Sequence, residues 1–180
     1  MSDYITTYSG IHFYPAKPNR AQIRLRDIAH PLSLMTRANG HFPEFYSVAQ
    51  HCIGCCNEAK ARAYSDFVVY ACLLHDGSEA YLADITRPVK QHLQEYLAYE
   101  KVLQDEIYMR FLGRLPDAQE ESLIRQVDDA MLSNEFYHYM GEDLFETRLP
   151  LASKPKFFVE AFTAVEEEYL SLARGFGWDE

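Results

Sequence analysis

Eight consecutive apolar residues at 67–74, Phe-Val-Val-Tyr-Ala-Cys-Leu-Leu, run directly into His75-Asp76. The run falls far short of the about 18 residues that a membrane span needs, so it belongs inside a protein core. Periodicity alone allows a buried strand or a buried helix over this length. The flanking segments have helical spacing and no partner strand is evident, so the sequence predicts a central buried helix over about 66–75. A His-Asp pair that closes such a helix is costly to bury without compensation. A divalent cation compensates both groups, because neutral imidazole and ionised carboxylate are natural ligands for it.

The rest of the chain reads as further helices around that one. Asp27 is the expected N-cap of a helix with Pro31 in its first turn and its end near Asn39-Gly40. A second helix is expected over 47–62, with Val48, Cys52, Cys55 and Ala59 as its inner stripe. Residues 77–88 read as a connection with one short turn. Long helices follow over about 91–112, from Asp117 to about Gly141, and over about 156–175. Residues 1–26, punctuated by Ser9-Gly10, Pro15 and Pro18, read as an irregular arm ahead of a helical domain at 27–180. The expected fold class is all-α, a single bundle of about six helices.

Charge and cysteine usage narrow the function classes. Lys and Arg total 17 against 27 Asp and Glu, a net charge of −10. Such a chain is poorly suited to coat a nucleic-acid backbone, which rewards basic patches, so no nucleic-acid polymer is expected as a partner. A small anionic substrate, held by a few local cations and a metal, remains compatible. No run is long enough for a membrane, and the N-terminus lacks a basic stretch followed by an apolar one. Cys52, Cys55 and Cys56 crowd onto one predicted helix and cannot make a disulfide framework; with Cys72 they read as buried, reduced thiols of a cytoplasmic protein. The redox-motif spacing of Cys52 and Cys55 carries no weight within a helix that has no preceding strand.

Three stretches place metal-capable side chains on otherwise apolar segments: Ser47 to His51, Leu73 to Glu79 and Val127 to Leu132. Two His and two Asp suit a six-coordinate ion with positions left for water better than tetrahedral structural zinc, for which thiolates are expected. The ordered set His51, His75-Asp76 and Asp128 resembles that of the HD-domain metal-dependent phosphohydrolases. The run His75-Asp76-Gly77-Ser78-Glu79, then Asp84, then Pro88-Val89-Lys90, is similar to the branch that includes bacterial 5′-deoxynucleotidases. The N-terminal arm resembles a phage-associated subgroup. The resemblance covers roughly residues 27–140.

This resemblance implies one divalent ion (Mn, Co, Fe, Ni or Mg) held by His51, His75, Asp76 and Asp128, with Asp128 preferred over its neighbour Asp129 as the last ligand. It implies hydrolysis of a small nucleotide, foremost a nucleoside 5′-monophosphate, by a metal-activated water attacking phosphorus. Glu79 stands at the family's catalytic carboxylate. Arg37 stands where those enzymes bind phosphate and Asp84 where they contact the sugar hydroxyl; Thr86 and Lys90 are weaker substrate-binding candidates. A non-catalytic regulatory domain that binds metal and nucleotide is the alternative. Related enzymes often pair through helices, which leaves a homodimer open.

Overall fold

Ser47 starts the helix around which the others pack. Its side chain accepts from the backbone N–H of Gln50 while the Gln50 side chain accepts from the N–H of Ser47, a reciprocal cap for α2 (Val48–Ala61). The computed structural model describes residues 2–178. In chain order the other helices are α1 (Arg26–Leu34), α3 (Asp66–Leu74), α4 (Glu79–Leu82), α5 (Arg87–Lys90), α6 (Gln94–Phe111), α7 (Ala118–Met140) and α8 (Phe162–Arg174). α2 packs against α1, α3, α7 and α8, and α3 lies among α2, α6, α7 and α8. The apolar run 67–74 is thus helical, begun by the Ser65 side chain, which accepts from Val68 N–H. α7 opens with a second reciprocal cap, Asp117 with Glu120, and closes on Gly141 at φ 67°. The all-α reading holds: the strands among the described residues are only the two-residue β1 (Ile5–Thr6) and β2 (His12–Phe13). No helix among them is long and apolar enough to cross a membrane.

Several boundaries differ from the sequence reading, each for a local reason. Asp27 does not cap α1; it lies inside the helix and accepts from Thr7 Oγ1 at 2.9 Å, Ser9 N–H at 2.7 Å and Ser9 Oγ at 2.6 Å. It therefore ties down the N-terminal segment, whose Phe13, Ile23 and Leu25 are buried in the main core. Pro31 sits within α1 rather than in its first turn. α1 ends at Leu34 because the chain then pairs with the approach to α2: Val48 N–H donates to Met35 O and Arg37 N–H to Tyr46 O. Ala38 and Asn39 turn back with φ of 52° and 51°. α6 begins at Gln94, after the short α5, which was not anticipated. α8 starts at Phe162, later than expected, and upstream of it the Gln50 amide holds the backbone by donating to Phe158 O.

A buried carboxylate fixes the long connection between α7 and α8. Glu58 of α2 accepts from the N–H groups of Ala152 and Ser153, from Ser153 Oγ at 2.6 Å and from Arg62 Nε at 2.7 Å. Burial pushes its carboxyl up, but these donors outweigh burial and hold it below the usual range. A group so depressed adds stability above its unfolded pKa of about 4.3, and that stability is lost as pH falls through the folded value. Glu58→Gln should cost about 3 kcal/mol at neutral pH. It should also flatten the loss of stability on acidification below about pH 4. Urea denaturation at several pH values checks both; equal acid sensitivity of the two proteins would contradict the assignment.

Candidate metal centre

His51 lies in the first turn of α2 and is fully buried. Its Nδ1 is 2.6 Å from Glu135 Oε1, so its Nε2 faces the interior of the site. His75 follows the last residue of α3, and its Nδ1 donates to the carbonyl of Cys72 at 2.8 Å. That carbonyl can only accept, which fixes the Nδ1–H and leaves Nε2 as the free ring nitrogen. The two Nε2 atoms stand 3.2 Å apart. Asp128 Oδ1 of α7 is 3.1 Å from the first and 3.8 Å from the second. Asp76 brings Oδ1 to 3.4 Å from His75 Nε2 and Oδ2 to 3.8 Å from His51 Nε2. Donors bound at about 2.1 Å in octahedral geometry lie about 3 Å apart across each edge; the separations of 3.1–3.4 Å approach that, and the two of 3.8 Å exceed it. The structure thus brings together the four residues that the sequence reading grouped.

Two thiols line the same space. Cys55 Sγ is 3.5 Å from His51 Nε2. His51, Cys55 and His75 form one group able to hold a metal ion, and Cys52, His75 and Asp76 another. Burial pushes the Cys52 thiol up to about 11 and the Cys55 thiol well above its ordinary value. Burial opposes charge on both imidazoles as well, but Asp76 and Asp128 raise His75 well above its ordinary pKa, and Glu135 and Asp128 raise His51. The cluster therefore attracts positive charge.

The neighbouring side chains divide by partner. Arg37 follows α1 rather than ending it, and the pairing of its segment with residues 46–48 aims its guanidinium inward. It lies 3.5 Å from Asp76, 3.5 Å from Glu135 and 4.0 Å from Asp84. Glu79 opens α4 and is buried: Oε1 accepts from Lys90 Nζ at 3.2 Å, and Oε2 has no hydrogen-bond partner among the described residues. Burial, then Asp76 and Asp84, raise its carboxyl well above the usual range. Lys90 is held between Glu79 and Glu100 rather than pointing free into the cleft. Thr86 precedes α5 without capping it.

Other partners were not legible. Arg87 bridges Asp128 Oδ2 at 2.5 Å and Asp129 Oδ1 at 2.6 Å, so Asp129 faces this arginine while Asp128 divides its two oxygens between the arginine and the histidines. Glu135 was the findable one: it lies seven residues, two helical turns, after Asp128 and so on the same face of α7. Arg87 and Glu100 carried no such signal.

No protein-family model matches the chain. Over 98 residues it is 40% identical to the uncharacterized protein YfdR of Escherichia coli (strain K12), a match covering 54% of this chain and 52% of that protein. The chain thus spans about half the length of the curated relative it matches.

The turn carrying His75-Asp76 is unusually tight. A Cβ on Gly77 would lie 2.9 Å from the carbonyl oxygen of Leu74 and 3.3 Å from Ile107 Cδ1. Gln104 of α6 clamps the same turn, donating to Leu74 O and accepting from Ser78 N–H. Gly77→Ala should therefore displace backbone beside Asp76 and destabilise the protein by about 1–3 kcal/mol, the scale of overpacking. Chemical denaturation checks this; unchanged stability would show that the turn has slack.

Proposed function

We propose that this chain is a metal-dependent phosphohydrolase of the HD class acting on a small nucleotide, with nucleoside 5′-monophosphates as the favoured substrates. The observation that carries the reading is the pair of imidazole nitrogens facing each other at 3.2 Å beside a carboxylate oxygen. With both Nδ1 atoms engaged elsewhere, the two Nε2 atoms converge on one point, where a cation between them would bind both rings in their neutral form. His51, His75, Asp76 and Asp128 would hold the ion. When bound, a divalent ion supplies an acidified water and polarises a phosphoryl oxygen.

The chain's own residues supply the rest. Glu79 offers a buried carboxylate oxygen with no other partner, suited to orient water or take its proton. The contacts of Arg37, 3.3 Å to His51 Nδ1 and 3.5–4.0 Å to the three carboxylates, are longer than the about 2.7–2.9 Å of a tight charge-assisted bond. Its N–H groups are therefore underused and suited to grip a phosphate. Asp84 faces Arg37 and is placed to accept from a sugar hydroxyl. Four free, buried cysteines fit a reducing, cytoplasmic setting.

Phosphate release from a panel of nucleotides with added Mn²⁺ or Co²⁺, with products identified by mass, tests the reading. Metal binding without turnover on any of them would instead give the non-catalytic regulatory module. Asp76→Ala should lose the ion while staying folded. Glu79→Gln should keep the ion and lower kcat by roughly 10²-fold or more. Arg37→Ala should lower kcat/KM by roughly 10- to 150-fold, the equivalent of a lost charge-assisted phosphate contact. Asp84→Ala should act on nucleotides more than on a minimal phosphate ester that has no sugar. Equal losses on the two substrates for both variants would refute this division of roles.

A further inference from the structure

The geometry points to Cys55 as a latent ligand of the same centre, able to capture a thiophilic ion such as zinc in a closed, four-coordinate set with His51, His75 and Asp128. The inference rests on the proposed metal site and adds a second coordination mode to it. Cys55 lies four residues after His51 on α2, so the two side chains share a helix face, and its Sγ is 3.5 Å from His51 Nε2. Tetrahedral zinc with bonds of about 2.0–2.1 Å to nitrogen and about 2.3 Å to sulfur separates two nitrogens by about 3.3 Å and nitrogen from sulfur by about 3.6 Å. The observed separations are 3.2 Å between the Nε2 atoms and 3.5 Å from His51 Nε2 to Cys55 Sγ. Asp128 Oδ1, 3.1 Å from His51 Nε2 and 3.8 Å from His75 Nε2, would supply the fourth vertex.

Hard ions such as Mg²⁺ and Mn²⁺ favour oxygen and nitrogen donors, whereas thiolate selects softer ions. As the metal–sulfur bond forms, the Cys55 thiol gives its proton to solvent, one per ion bound. Four protein ligands leave no vertex for water, the condition of a structural rather than a catalytic zinc site. Zinc would therefore hold the protein in a form that binds metal and does not turn over. Cys56 and Cys72 also lie in the core, but neither belongs to a metal-competent group among the described residues.

Cobalt(II) titration of the full chain tests this by absorption. The expected result is a near-ultraviolet thiolate-to-cobalt charge-transfer band together with the visible bands of bound cobalt. In Cys55→Ser, or in Cys55→Ala should the serine variant fail to fold, the charge-transfer band should vanish. Co²⁺ and Zn²⁺ affinity should fall at least about tenfold, and Mn²⁺ affinity by equilibrium dialysis should move much less. Visible bands without charge transfer in the wild type would overturn the inference and leave the metal site standing. A band that survives in Cys55→Ser and disappears in Cys52→Ser would overturn the assignment to Cys55. No cobalt bound at all would overturn both the metal site and the inference.

Discussion

The contact between His51 Nδ1 and Glu135 Oε1 is the interaction on which the centre depends. Both side chains are fully buried and 2.6 Å apart. A carboxylate there is tolerable only because the imidazole and the Arg37 guanidinium share its charge, and their pull outweighs burial to hold Glu135 below the ordinary carboxylate range. The contact fixes the His51 ring and thereby aims Nε2. It joins α2 to α7 at a defined register, two turns along α7 from Asp128. It also explains why the backbone leaves α1 so early: the left-handed turn after Arg37 and the pairing with residues 46–48 bring a cation to a place where an anion is already buried.

Around this contact the charges are layered. Asp76 and Asp128 face the histidines, Arg37 reaches Asp76, Asp84 and Glu135, and Arg87 spans Asp128 and Asp129 at the rim. Each Asp or Glu here has a cation or imidazole close by, yet Glu79 Oε2 has no hydrogen-bond partner among the described residues. An unpartnered buried carboxylate oxygen is costly, and Glu79 Oε2 carries that cost beside the crowded charges of Asp76 and Asp84.

The helices were legible in the sequence because they rest on local spacing, and the grouping of His51, His75, Asp76 and Asp128 came with the family resemblance. Caps at Ser47 and Asp117, the apolar run 67–74 and the left-handed Gly141 are local signals that tertiary structure did not override. What was missed is long-range. Asp27 reads as a helix cap because Asp caps helices, but it is used by Thr7 and Ser9 across a loop. Lys90 reads as a cation for substrate, but it is held by Glu79 and by Glu100 on another helix. The thiols of Cys52 and Cys55 read as packing, and one-dimensional spacing could not show that they border the donors of His51 and His75. Arg87 had no sequence signal, since its partners lie about forty residues on in α7.

One helix that contributes none of these four side chains still braces their surroundings. Glu100 and Gln104 are four residues apart on α6, hence on one face and one turn apart. Glu100 restrains Lys90, which restrains Glu79; Gln104 holds the turn that presents His75 and Asp76. The carboxylate suited to chemistry and the ligand turn thus share a single mechanical support. A displacement of α6 would therefore shift Glu79 and the His75-Asp76 turn together, whereas a change confined to Lys90 or to the turn itself would reach only one of them.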